Sequence, residues 1–198
     1  MTQETASQRP PGRPRSAQAD EAIARATIES IVAHGFEGMS MEGVAAAAGV
    51  SKATLYRRYA SKEEMVVAIV SRLRPAGPPP DQGSFLADLK ELVSGQQART
   101  GDVGRRVVPK LIAAALTTPE LREVLMERMI DPFRAILAEF VRRGIDRGEL
   151  RADLDVETAV DLLHGPLVYR LILAGGDPSG LDGDAERMLP MVLAGLRA

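Results

Sequence analysis

The residues from Ser51 to Ser61, SKATLYRRYAS, carry three cations, two tyrosines and three hydroxyls, with no acid among them. Such a set can donate hydrogen bonds to phosphate oxygens and to the acceptor-rich edges of bases. On a helix that starts at Ser51, Val50 and Leu55 turn back towards a core. Ser51, Lys52, Ala53, Thr54, Tyr56, Arg57 and Arg58 are left on the exposed side. The chemistry this face suits is non-covalent reading of a polynucleotide.

Something must hold that short helix rigidly. Ser40 caps a preceding helix through Val44 to Ala48, whose alanines allow close approach, and Gly49 permits the left-handed turn between the two. The pair reads as a helix-turn-helix, in which the first helix braces the second in the major groove. Ser40 and Ser51 also open helices whose free N–H groups suit phosphate oxygens. Upstream, Ile23, Thr27 and Ile31 recur every four residues, and Gly35 is a C-terminal stop. Downstream, Ser61 and Glu64 form a capping box that opens a helix through Leu73. The alternative reading of the motif is a small-residue helical hairpin with a solvated basic face.

Composition narrows the class. The 198 residues include no cysteine, which excludes disulfides and thiolate metal clusters and suits a reducing cytoplasmic compartment. No apolar run approaches the roughly 20 residues of a membrane span, and the polar front lacks a signal-peptide core. The net charge of −2 divides unevenly: residues 1–74 carry ten basic and eight acidic side chains, and residues 75–198 carry fifteen and nineteen. Nucleic-acid contact is therefore expected from the front alone.

The chain reads as all-α, with about nine helices. Residues 1–16 form a basic arm that proline and glycine keep from helix, residues 17–74 a helix-turn-helix domain, residues 75–83 a linker (PAGPPPDQG), and residues 84–198 a ligand-binding and dimerisation domain. Helices are expected near 84–99, 103–116, 118–143, 156–173 and 183–196. Asp131-Pro132 should kink the third of these, and Gly165-Pro166 should bend the fourth.

Residues Ile23 to Leu73, above all HGFEGMSMEGVAAAAGVSKATLYRRYASKEEM, resemble the DNA-binding domain of TetR-family transcriptional regulators. DPFRAIL, RGELRADLD and LLHGPLVYRLI in the tail resemble a C-terminal domain of that family. The resemblance implies that Lys52, Ala53 and Tyr56 touch base edges, and that Thr54, Arg58, Tyr59 and Lys62 touch phosphates. It also implies that Ser40 caps its helix near the DNA backbone. Some relatives carry a cationic base reader directly after Met41. Here Glu42 stands there, and it either faces away or accepts from cytosine, with Arg57 placed to compensate. Arg13 and Arg15 of RPPGRPR are similar to arms that enter an A·T-rich minor groove; a solubilising tail is the alternative.

A motif this small reads palindromes as a dimer. Leu162, Val168, Leu171, Ile172, Leu189, Val192, Leu193 and Leu196 form the apolar stripes expected to pair two subunits in a four-helix bundle. Phe85, Leu111, Met126, Met129, Ile130, Phe133, Leu163 and His164 are the candidates for an effector pocket, although each taken singly fits a core better. Catalysis is not expected. Asp161 and His164, at i and i+3, are half a metal site without a second half, so neither a metal nor a cofactor is expected. The expected molecule is a homodimeric repressor that an unknown small apolar effector releases from its DNA operator. A regulator without an effector, or a helical enzyme or carrier, are the rival classes.

Overall fold

The computed structural model describes residues 14–72, 78–172 and 190–197. Helix α1 spans Pro14–His34 and α2 Met41–Ala47, followed by α3 at Lys52–Tyr56 and α4 at Lys62–Ser71. The long α5 covers Phe85–Ala115, and α6 covers Pro119–Leu125. A π-helical turn at Met126–Ile130 joins α6 to α7, Asp131–Asp146; α8 then spans Val156–Ile172. A last helix, α9, covers residues 190–196. Among the described residues the only extended pairing is one bridge between Leu150 and Arg197.

The helix boundaries follow from local chemistry. Ser40, Ser51, Ser61 and Ser84 each stand in extended geometry and accept an N–H from the first turn that follows. Gly35 and Gly49 take positive φ, at 73° and 65°, and stop α1 and the α2 segment. Two expectations are corrected. The first helix starts at Pro14 rather than Ala17, because a proline in the first turn loses no hydrogen bond and its fixed φ suits a helix. The helices expected at 84–99 and 103–116 run on as α5, bent where Gly101 adopts φ 47° and ψ −145°. Asp131-Pro132 acts as expected, by a specific device. Pro132 has no N–H for the Arg128 carbonyl, and the preceding turn widens so that the Asp131 N–H reaches Met126.

Two cores organise the fold. The first joins Ile23, Ile31, Val44, Leu55, Met65 and Val66 of α1–α4 to Val107, Leu111, Leu121, Leu125 and Met129 from α5, α6 and the π turn. It therefore joins residues on both sides of the linker. The second core packs Phe85, Leu137, Phe140, Val160, Leu163, Leu193 and Leu196 together, from α5, α7, α8 and α9. Polar contacts reinforce the junction of front and rear. The Thr118 hydroxyl donates to Glu37 at 3.0 Å, and Arg128 pairs with Glu64 of α4 at 3.5 Å.

Residues 80–82, at the end of the linker, are also tied down. Fully buried Asp88 accepts the Gln82 N–H and pairs with Arg143 and Arg147, each at 3.4 Å. Both arginines also reach Asp81, and Arg143 donates to the Pro80 carbonyl at 2.7 Å. The hydrogen bond from Arg147 holds the Asp81 carboxyl below its ordinary range.

Candidate nucleic-acid interface

The recognition unit is built from below. Leu55 is fully buried and pins α3 against Val44 and Ala45 of α2, which are also buried. The Val50 N–H returns to the Ala45 carbonyl at 3.0 Å and closes the turn around Gly49. Ser51 Oγ accepts the Thr54 N–H at 3.2 Å and lies 2.9 Å from the Thr54 hydroxyl. With Leu55 facing inward, Lys52, Ala53 and Tyr56 share the outward face, and all three are exposed. Tyr56 is 47% exposed, a large aromatic held out in solvent on a five-residue helix.

Glu42 does not face away. Its Oε1 accepts the Tyr56 hydroxyl at 3.3 Å and lies 3.6 Å from Lys52 Nζ. A hydrogen bond from its own backbone N–H, and then the Lys52 charge, hold its carboxyl below the ordinary range. Partial desolvation and the Glu42 charge push the Tyr56 phenol up, so its O–H remains a donor. The sequence-level face of donors thus carries one acceptor, contributed by the neighbouring helix.

Three of the positions assigned to phosphate by resemblance are engaged elsewhere. Tyr59 is buried, and its hydroxyl accepts from Arg72 at 3.4 Å. Half-buried Arg58 donates to Asp20 at 2.7 Å and to the Thr54 carbonyl at 3.2 Å, tying α3 to α1. Lys62 lies 4.1 Å over the Phe36 ring and donates to the Phe36 carbonyl at 3.1 Å. The sequence shows their types and order but not these partners, which lie on other elements. Arg57 is exposed and has no partner among the described residues. Ser40 is exposed and accepts the Gly43 N–H at 3.1 Å. Arg13 lies outside the described residues, and Arg15 sits in the first turn of α1 rather than in an extended arm.

The rear residues divide. Of the pocket candidates, Leu111 and Met129 belong to the first core with Ile130 against it. Phe85 and Leu163 belong to the second, with Phe133 against it. Met126 is 40% exposed, so it lines neither. His164 lies 5.3 Å from the Phe133 ring. Burial, and then the Arg134 charge, push its imidazole down. Asp161 pairs with Arg134 instead of completing a site with His164. Of the dimer candidates, Leu162 is 50% exposed on α8. Sequence reasoning passed over Tyr169, seven residues on and 59% exposed, although the i, i+7 spacing was its signal. Val168 is half-buried. Leu193 and Leu196 are buried within the second core of the same chain, with Val192 packed against it, and the Arg151 N–H donates to the Leu196 carbonyl at 3.0 Å. Leu189 and the side chains of Leu171 and Ile172 lie outside the described residues.

Comparison with known proteins agrees with this architecture. Residues 23–69 match the family described as bacterial regulatory proteins, tetR family, and residues 79–192 match the tetracyclin repressor-like C-terminal domain. The HTH-type transcriptional regulator YdeS of Bacillus subtilis is 30% identical over 167 residues, 84% of each chain. The crystal structure of NalD, the secondary repressor of the MexAB-OprM multidrug efflux pump in Pseudomonas aeruginosa, superposes with a TM-score of 0.69 at 24% identity, covering 92% of this chain and 97% of that one. The regulator FadR of Bacillus subtilis, solved with stearoyl-CoA, gives a TM-score of 0.71 at 20% identity over 89% and 99%. No helix among the described residues is long and apolar enough to cross a membrane.

Proposed function

This chain belongs to the TetR family of transcriptional regulators, and from that premise we propose that it is a homodimeric repressor whose α3 reads a palindromic operator. The single observation that carries the reading is the outward face of Lys52, Ala53 and Tyr56 on a helix anchored by fully buried Leu55. Arg57 supplies a phosphate contact beside that face, and the capped starts of α2 and α3 at Ser40 and Ser51 lie against the backbone. Two such helices presented to successive major grooves require half-sites about 34–36 Å apart. The exposed apolar residues Leu162 and Tyr169 on α8, with Met191 on α9, support pairing of two subunits through that face.

Release follows if a small apolar molecule binds better to a state in which the two heads are set at a different separation. The partly buried Ile130, Phe133 and His164, between the two cores, are the proposed entry for it. FadR holds an acyl-CoA within this fold, which supports an apolar ligand class. The test is titration of the purified protein against duplexes from its own upstream region over a range of salt. The reading expects one duplex bound with a steep salt dependence and an unrelated duplex bound far more weakly. Equal affinity for both would refute sequence reading, and a monomer in sedimentation at operator-saturating concentrations would refute the dimer.

A further inference from the structure

We propose that Glu42 and Lys52 act together as a single reader of one G·C base pair in each operator half-site. The inference rests on the reading of α3 as the DNA-contacting helix and adds to it the base pair and the partner residue.

The argument begins with the misplaced charge. An acid on a DNA-reading surface is repelled by every phosphate and by every acceptor on a base edge. In the major groove only the cytosine N4 and adenine N6 amines can donate to it. Glu42 is nevertheless held on this surface by two residues of α3, with Tyr56 and Lys52 both on Oε1. A carboxylate has about four lone-pair sites, so it retains acceptor capacity beyond these partners. Its neighbour Lys52 donates and cannot accept.

Together they present an acceptor and a donor separated by 3.6 Å. The major-groove edge of a G·C pair presents the complement. Guanine O6 accepts, cytosine N4 donates, and these two atoms are hydrogen-bonded to each other at about 2.9 Å. Lys52 on O6 and N7, with Glu42 on N4, satisfies all of them at once. An A·T pair also sets a donor beside an acceptor, but thymine O4 offers the ammonium one acceptor next to a methyl group where guanine offers two. The pair therefore favours G·C. Tyr56 is the positioning residue, since its hydroxyl fixes the carboxylate from the side.

The test is selection from a randomised duplex pool with the full-length wild type, Glu42→Ala, Glu42→Gln and Lys52→Ala. Thermal unfolding of each variant checks that its fold is kept. The expected wild-type consensus contains a symmetric G·C position whose substitution weakens binding about tenfold. Glu42→Ala and Lys52→Ala both relax that same position and leave the others. Glu42→Gln moves its preference towards adenine, which an amide reads at N6 and N7. The inference is overturned if the two alanine variants relax different positions. It is also overturned if Glu42→Ala keeps the wild-type consensus or weakens every position equally. A wild type that selects no sequence refutes the underlying reading of α3 instead, which separates the two failures.

Discussion

Arg58 separates the family-based expectation from the structure. Resemblance puts this residue on a DNA phosphate, whereas the structure spends its guanidinium on Asp20 and the Thr54 carbonyl. Removing it should damage the fold and leave the electrostatics of DNA binding alone. The ion pair is 2.7 Å long, with side-chain exposures of 20% and 35%. A charge-assisted hydrogen bond contributes up to about 3 kcal/mol when desolvated, and this much contact with water reduces that to about 1.5 kcal/mol. For a chain of this size, that is a fall of about 3–6 °C in melting temperature. A phosphate contact leaves a different mark. Lost from both subunits of a dimer, it lowers the slope of log affinity against log salt by about 1.8. Arg58→Ala is therefore expected to melt earlier in differential scanning fluorimetry, with an unchanged salt slope in operator titrations by fluorescence anisotropy. Arg57→Ala, which removes an exposed cation with no partner among the described residues, is expected to do the reverse. A reduced slope with an unchanged melting temperature for Arg58→Ala would refute the structural role argued for it.

Leu55→Ala should cost about 3 kcal/mol in urea unfolding and abolish operator binding, because Leu55 is the one fully buried side chain of a five-residue helix. Gly49→Ala meets nothing within 4 Å but sits at φ +65°, so backbone strain alone should destabilise it by about 1–2 kcal/mol in the same assay. His164 has a folded pKa pushed below its unfolded value of about 6.5. Keeping it neutral therefore contributes stability that is present above about pH 6.5 and lost as pH falls through the lower folded value. His164→Gln should remove that portion of the acid-side loss, and a melting-temperature profile parallel to that of the wild type across this window would contradict it.

What the sequence disclosed follows from how local each feature is. Serine caps, glycine turns and the spacing of buried residues act within one helical turn, and they place α1 to α4 and the exposed face of Lys52, Ala53 and Tyr56 within a few residues. Glu42 was legible as an anomaly in type but not in direction, because its partners lie on the next helix. Arg58, Tyr59 and Lys62 look like DNA ligands in a string of letters. Their engagement depends on Asp20, Arg72 and Phe36, at separations of 38, 13 and 26 residues, which no local pattern encodes. The rear was harder for the same reason. Leu162 and Leu193 are alike in sequence, yet one is exposed and the other buried, since only packing decides which face of an apolar helix is already covered.

The division into a DNA-binding front and a rear domain is likewise a property of sequence similarity more than of packing. Leu111, Leu121 and Met129 share one core with Leu55 and Val66, so the head is not a body on a free hinge. Any rearrangement that alters the spacing of two heads must be expressed through that core. The π turn sits at the edge of that core, with Met129 buried in it. Its Arg128 carbonyl, denied an N–H by Pro132, is approached by the Ser71 hydroxyl at 3.5 Å, at the end of α4. The Arg128 guanidinium meets Glu64 near the start of the same helix. One widened turn thus carries two polar contacts to α4, the helix that directly follows α3 and whose buried Met65, Val66 and Val70 already lie in the shared core.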